Sequence, residues 1–201
     1  MNYPSQLIEE AVNELSKFPG IGKKSAMRMV LYLLKQQQTD VTRMGEAIIK
    51  LRANIKYCNR CGNVSDAESC NICSNPKRNQ QIICVVEDLR DVIAIENTGQ
   101  FNGTYHILGA LISPINGIGP DKLNIEKLIQ RISDEHTQEV ILALSATVEG
   151  DTTAFYVSKK LNTLPVKVSS ISRGIAIGGE LEYADEVTLG RSIALRMPFQ
   201  G

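Results

Sequence analysis

Four cysteines, Cys58, Cys61, Cys70 and Cys73, fall as C-x2-C-x8-C-x2-C within YCNRCGNVSDAESCNICS. Each CxxC pair spans one tight turn that brings two sulfurs onto the same ion, and two such pairs supply the four thiolates of a closed tetrahedral zinc site. Gly62, directly after the first pair, is free to take the positive φ that such a turn asks for. Disulfides are the competing use of paired cysteines. They rarely persist in a reducing compartment, and the opening MNYPSQLIEEA lacks the basic-then-apolar pattern of a signal peptide, so zinc in a cytoplasmic protein is expected. Four protein ligands leave no open position for a catalytic water. The zinc is therefore expected to be structural, stapling a segment too short to build its own core. The fifth cysteine, Cys84, sits in the apolar run Ile82-Ile83-Cys84-Val85-Val86 and reads as core packing.

A second constellation is FPGIGKKSAMR, with Gly20, Ile21 and Gly22 followed at once by Lys23, Lys24 and, one turn on, Arg28. Two glycines around Ile21 let backbone amides approach a phosphate closely, and the helix that follows presents an N-terminus that favours an anion. Ile21 is expected to point inward and lock the flanking helices together. An ordinary helix-helix turn with solvated lysines is the plainer reading. PGIG running straight into two lysines favours the phosphate site, a device that contacts backbone rather than bases and so binds without sequence preference and with steep salt dependence. The pattern is similar to the helix-hairpin-helix, a nucleic-acid-binding unit with the signature h-x-h-P-G-h-G.

Three carboxylates form the third group. Glu87 closes the run IICVVED, while Glu149 and Asp151 follow a later apolar run in LALSATVEGDTTA. Acidic groups at the carboxyl ends of neighbouring parallel strands converge where α/β domains place ligands, and three of them can hold Mg²⁺. The other reading makes Glu87 and Asp88 a helix start and Asp151 the cap of the next helix. Both stand. His106, in a strand-like run, is expected to be a packed or hydrogen-bonded core residue, and His136 to face solvent.

The elements that must position these groups change character along the chain. Helical periodicity covers 5–17 with Ser5 as N-cap, then 23–34 with Met27, Val30, Leu31 and Leu34 as an apolar stripe, then about 41–55 through Met44, Ile48 and Leu51. After the cysteines, IICVV, YHIL, EVILAL and VKVSSI read as buried strands, alternating with helices around 88–96, 122–133 and 152–161. That alternation predicts an α/β fold with a mostly parallel sheet covered on both faces. Near the end, Gly178-Gly179 permits a turn, Leu181 and Tyr183 pack outward, and 184–197 has a helical pattern closing before Pro198. This tail reads either as an oligomer interface or as a helix covering its own sheet.

With 201 residues, 43% hydrophobic and 22% charged, the chain is an ordinary globular one, long enough for one good core and a small satellite. No apolar run reaches the roughly 20 residues of a membrane span. The zero formal charge hides an asymmetry: residues 1–60 hold ten Lys and Arg against five Asp and Glu, a balance of +5, which the remainder cancels. The basic end suits phosphate, the acidic end basic partners or cations.

The sheet region resembles the Toprim domain of topoisomerases and primases, whose pattern is a Glu after the first strand and a D-x-D after a later one. Here the second element is Glu149-Gly150-Asp151, an E-x-D, and no tyrosine carries a nucleophile motif. In order, the segments resemble those of the bacterial RecR family of recombination mediators: FPGIGKKSAMR, the paired CxxC, VVEDLRDVIAIE, YHILGALISPINGIGPDKL, EVILALSATVEGDTTA and GIAIGGELEYADEVTLGRS, which together span nearly the whole chain. The resemblance implies a helix-hairpin-helix domain over 1–56, a C4-type zinc finger over 57–74, a Toprim domain over 81–176 and a C-terminal oligomerisation or tail segment over 177–201. It further implies a non-enzymatic factor that binds single- and double-stranded DNA and acts with RecO, and in some pathways RecF, to load RecA onto strands coated by single-strand-binding protein. A homo-tetrameric ring with its hairpins facing the hole is implied as well. Glu87, Glu149 and Asp151 would then be a partner-docking or Mg²⁺-tuned surface. The alternative is a Mg²⁺-dependent Toprim enzyme, nuclease- or primase-like, working through the same acids.

Overall fold

The structure is a computed structural model and describes residues 3–175 and 177–198. Residues 1–2, 176 and 199–201, which fall at ends of the expected segments, lie outside the described residues. The chain divides into two compact units, Met1–Ile55 and Lys56–Gly201.

Among the described residues the first unit holds three helices, α1 (Gln6–Leu15), α2 (Lys23–Leu33) and α3 (Gln38–Asn54). Ala26 and Val30, four apart and so on one face of α2, close on Val12 of α1, with Ile8, Leu15, Ile21 and Met27 packed around them. Ser5 takes the N-cap position of α1, yet its side chain makes no capping hydrogen bond. α3 starts earlier than its apolar spacing suggests and buries none of its residues. Met44, Ile48 and Leu51, the apolar positions of its helical pattern, are exposed within this chain.

In the second unit, β1 (Lys56–Tyr57) and β2 (Val64–Ser65) pair antiparallel around the first cysteine pair. Then come β3 (Ile82–Val86), α4 (Leu89–Asn97), β4 (Thr104–Ile107), α5 (Ile125–Asp134), β5 (Glu139–Leu142), α6 (Val148–Leu161) and β6 (Lys167–Ser170). The four longer strands form one wholly parallel sheet in the order β4-β3-β5-β6. Successive side chains of a strand face opposite ways, and β3 shows it: Ile83 and Val85 join Leu128, Val140, Leu142, Val157 and Leu161 on one face, while Cys84 and Val86 join Val92 and Tyr105 on the other. Both faces are therefore buried, as a parallel sheet requires. Cys84 is 2% exposed, a core residue as its apolar run suggests. No helix among the described residues is long and apolar enough to cross a membrane.

Two boundaries differ from the sequence reading in ways that matter for the site. A 3₁₀ turn at Pro120–Lys122 precedes α5, which delays the helix expected from 122. α6 begins at Val148 rather than 152, because Thr147 caps it, its Oγ1 accepting from the Gly150 amide at 3.1 Å. Near the end, Gly178 makes the turn at φ 85°, and α7 (Glu186–Ala194) is shorter than its pattern, starting where Asp185 accepts from the Thr188 amide at 2.8 Å.

Candidate functional site

The hairpin lies in the first unit. Gly20 takes φ +77°, a conformation that L side chains rarely adopt, and a side chain at Gly20 or Gly22 would meet nothing within 4 Å. The Ile21 amide donates to the Phe18 carbonyl at 3.1 Å, closing the turn, and Ile21 packs against the Val12–Ala26–Val30 core. Gly22 is the N-cap of α2 and has no side chain to cap with. The first helical bond runs from the Ala26 amide to the Gly22 carbonyl at 3.0 Å, so the amides of Gly22, Lys23, Lys24 and Ser25 have no protein acceptor among the described residues. No acidic residue occupies the first turn, and Lys23, Lys24 and Arg28 are exposed beside these open amides. Unpaired amides, dipole and cations act in the same direction there.

The metal centre opens the second unit. Sulfurs of Cys58, Cys61, Cys70 and Cys73 lie within 4.8 Å of one another, and all four residues are buried. Gly62 turns the chain after the first pair at φ +78°, which lets its amide donate to the Cys58 carbonyl at 2.9 Å. Amides of Asn63 and Cys73 point at the sulfurs of Cys61 and Cys70, at 3.4 and 3.5 Å, the usual outer support of a thiolate site. Cys61 and Cys70 stand 3.6 Å apart; sharing a hydrogen bond pushes the Cys61 thiol up and the Cys70 thiol down. Four thiols this close cannot all ionise without a cation among them, and the donor set and its crowding fit Zn²⁺ in a closed structural site. Besides the cysteines, the module's own cluster contains only Ile72 among the described residues, so the ion takes the place of a core.

Sequence reasoning missed how this module is held to the sheet. Arg60, one of the two residues inside the first CxxC, binds the carboxylate of Glu135 through Nε at 2.5 Å and Nη2 at 2.8 Å. Its Nη1 donates to the Cys73 carbonyl at 3.0 Å and to Gln80 Oε1 at 2.5 Å. Arg131, almost fully buried in α5, donates to the same Glu135 at 3.0 Å and to the Tyr105 carbonyl at 2.6 Å. Burial alone would raise the Glu135 carboxyl; the two guanidinium groups outweigh it and hold it below its ordinary range. The Ile107 amide also donates to the Cys61 carbonyl at 2.8 Å, and Ile72 packs against the Cys84 and Val86 face of the sheet. An Arg one residue before a Cys carries no spacing signal. Its partner lies 75 positions away.

The acidic residues sit at the carboxyl edge of the sheet. β4 and β5 lie on opposite sides of β3, so the chain reverses its winding there, and Glu87 and the segment after β5 flank that switch point. Glu87 is half-buried; its carboxyl is raised by burial first and by Asp88 and Asp91 second. Asp88 is the N-cap of α4 and forms a capping box with Asp91, as a helix-start reading requires. Glu149 and Asp151, however, lie in the first turn of α6, and Thr147, not Asp151, is the cap. Gly150 separates them because a Cβ there would stand 2.0 Å from the Ser145 carbonyl oxygen. Asp151 is bound by Arg173 at 2.6 Å and faces Arg191 at 3.8 Å. Among the described residues the cysteine quartet is the only group of three or more metal-ligating side chains brought together, so Glu87, Glu149 and Asp151 are not gathered into a ligand set.

A small helical unit with a glycine hairpin, followed by a four-cysteine module on a parallel Toprim-type sheet, defines the class: a helix-hairpin-helix, zinc-finger and Toprim protein. Comparison with known proteins finds the same order of parts. The family model described as RecR, helix-hairpin-helix matches residues 8–52, that of the RecR four-cysteine zinc finger domain 55–75, that of the Toprim domain 81–172, and that of the RecR C-terminal segment 174–196. The chain is 57% identical over 197 residues to the recombination protein RecR of Amoebophilus asiaticus, covering 98% of each chain. It is 56% identical over 201 residues to that of Cytophaga hutchinsonii, covering 100% of this chain and 98% of the relative. The chain belongs to the RecR family.

Proposed function

We propose that this chain is a DNA-binding recombination and repair factor that binds rather than cuts, and that it acts with RecO and RecF to promote RecA loading on single strands coated by single-strand-binding protein. The observation that carries DNA binding is the hairpin: four open amides at the start of α2, beside three exposed cations, with no carboxylate in the turn to compete. Gly20, Ile21, Gly22, Lys23, Lys24 and Arg28 hold a backbone phosphate of single- or double-stranded DNA, which gives no sequence preference.

Neutral total charge is compatible with this if several hairpins act together, and a homo-tetrameric ring supplies four. Exposed apolar side chains on α3 and in the C-terminal segment, among them Ile48, Leu51, Leu195 and Met197, support an oligomer. The Mg²⁺-dependent Toprim enzyme is the weaker reading: Glu87 stands at the switch point with a raised carboxyl, but Asp151 already has arginine partners. Glu149, unlike Asp151, is left to meet a basic partner face.

The test is DNA affinity over a salt series, with solution mass measured on the same preparation. Replacing Lys23, Lys24 and Arg28 together by Ala should weaken binding to every sequence alike and lower the salt slope by about one for each phosphate no longer neutralised. Unchanged affinity in that variant would remove the hairpin from the interface.

A further inference from the structure

The Ile171 amide makes the last backbone bond to the sheet, to the Leu142 carbonyl at 3.3 Å, and the segment that follows has no interior of its own. None of the described residues from 171 to 198 is buried, and Leu181, Tyr183, Val187, Leu195 and Met197 are each more than half exposed. α7 has nine residues, and helices below about 12–15 residues are marginal in water unless something outside them holds them. The Asp185 cap satisfies one amide at its start and ties the helix to nothing beyond itself.

What ties the segment down is one carboxylate. Asp151 Oδ1 lies 2.6 Å from Nη1 of Arg173, and Oδ2 lies 3.8 Å from Nη2 of Arg191. Among the described residues these two ion pairs are the only polar ties from residues 172–198 to the rest of the chain. Arg173 stands where the chain leaves the sheet and Arg191 lies in α7, so a single group fastens both ends of the excursion. The Arg173 side chain is only 28% exposed, which screens the shorter pair less than a fully solvated one. The carboxylate is itself firmly placed. Its own amide donates to the Thr147 carbonyl at 2.8 Å, and Gly150, close against the Ser145 carbonyl, seats the first turn of α6 on the loop after β5. Glu149, in the same turn, has no ion pair among the described residues.

We propose that Asp151 is a positioning residue for the C-terminal segment: through Arg173 and Arg191 it fixes the segment's course and keeps α7 ordered, ready to meet a second copy of this chain. The two acids of the E-x-D element then have different work. Asp151 serves the fold of its own chain, and Glu149 is left without a partner there. Ordering a segment before association lowers the entropy that association costs, so an anchored segment binds another copy more tightly than a loose one, without Asp151 touching that copy. This last step rests on the oligomer reading above; the anchoring does not.

Amide hydrogen exchange of the full chain at low concentration tests the anchor. Asp151→Asn keeps the shape and removes the charge. Partly exposed ion pairs shift an equilibrium by up to about fivefold, so the α7 amides should exchange about three- to fivefold faster, with those of β3 and β5 unchanged. Glu149→Gln removes the same charge from the same turn and should leave α7 as in wild type, which separates the anchor from a general effect of charge at the start of α6. Arg173→Gln together with Arg191→Gln should reproduce the Asp151→Asn rate, and adding Asp151→Asn to that pair should speed exchange no further. Equal α7 exchange in wild type and Asp151→Asn, or the same acceleration in Glu149→Gln, overturns the proposal. Sedimentation equilibrium then measures association, whose dissociation constant should rise by the same factor in Asp151→Asn. An unchanged constant beside a faster α7 overturns the part in association and upholds the anchor; a wild type that stays monomeric throughout overturns the oligomer reading and leaves the anchor standing.

Discussion

The two compact units solve the same problem of stability with different means. Three buried apolar residues close the first, Val12, Ala26 and Val30, while thirteen form the larger of two sheet clusters in the second. The second unit adds a metal and a buried ion network; the first leaves Leu7, Ile48, Ile49 and Leu51 more than half exposed. A segment with so little core has a small margin of stability, whereas a parallel sheet covered on both faces buries a full core. The difference separates a scaffold from a presenting element: the second unit fixes geometry, and the first displays open amides and cations on a minimal support.

Removing zinc is the largest perturbation that probes this contrast. Chelation, or Cys73→Ser, takes away the only interior the cysteine module has; structural zinc sites contribute roughly 10–16 kcal/mol of apparent binding free energy in isolated fingers. Arg60, Ile72 and the Cys61 carbonyl tie that module to the sheet, so the loss should spread and lower the melting temperature of the second unit by about 10 °C or more. Scanning calorimetry with metal analysis reads it. Undiminished stability in the metal-free protein would mean that the module does not depend on its ion.

The sequence showed these parts unevenly, for physical reasons. CxxC spacing is local, so the zinc site was legible at once; PGIG followed by lysines is local too, and its positive φ at Gly20 and inward Ile21 appear as that motif demands. Continuous apolar runs gave the parallel sheet. The start of α6 was not legible, because Gly150 reads as a helix breaker and is needed instead for its close approach to the Ser145 carbonyl. Nor was the pairing of Asp151 with Arg173 and Arg191, or of Arg60 with Glu135, since interactions across such separations leave no periodicity. The stripe on α3 marks a limit of another kind: helical spacing of Met44, Ile48 and Leu51 rightly gives a helix with an apolar face, but does not say what covers that face.

A smaller perturbation, Arg60→Ala, tests whether the ion network or the metal dominates at the joint. Removing Arg60 from a largely buried cluster leaves Glu135 with Arg131 alone and frees the Gln80 and Cys73 acceptors, and about 1–3 kcal/mol should be lost in chemical denaturation. The pH dependence carries the same information. Glu135 has a folded pKa below its unfolded one, so its contribution is present above the unfolded carboxylate range, near pH 4 to 5, and disappears as pH falls through the lower folded value. Wild type should lose stability over that acid window, and Arg60→Ala should show a flatter profile there. Parallel profiles would assign the joint to zinc alone.

The smallest expected effect decides most about the first unit. Leu128, fully buried in the sheet cluster, should cost about 2–5 kcal/mol on truncation to Ala. Ile48→Ala removes similar apolar volume from a side chain that is 52% exposed, and in a dilute single chain it should change stability by no more than about 0.5 kcal/mol. Measured at rising protein concentration, the two values separate the possibilities. If Ile48→Ala stays near zero throughout, the α3 face is open and the first unit stands on its three core residues. If its cost grows with concentration toward that of Leu128→Ala, another copy covers that face, and the core missing from the first unit is completed by association rather than by folding.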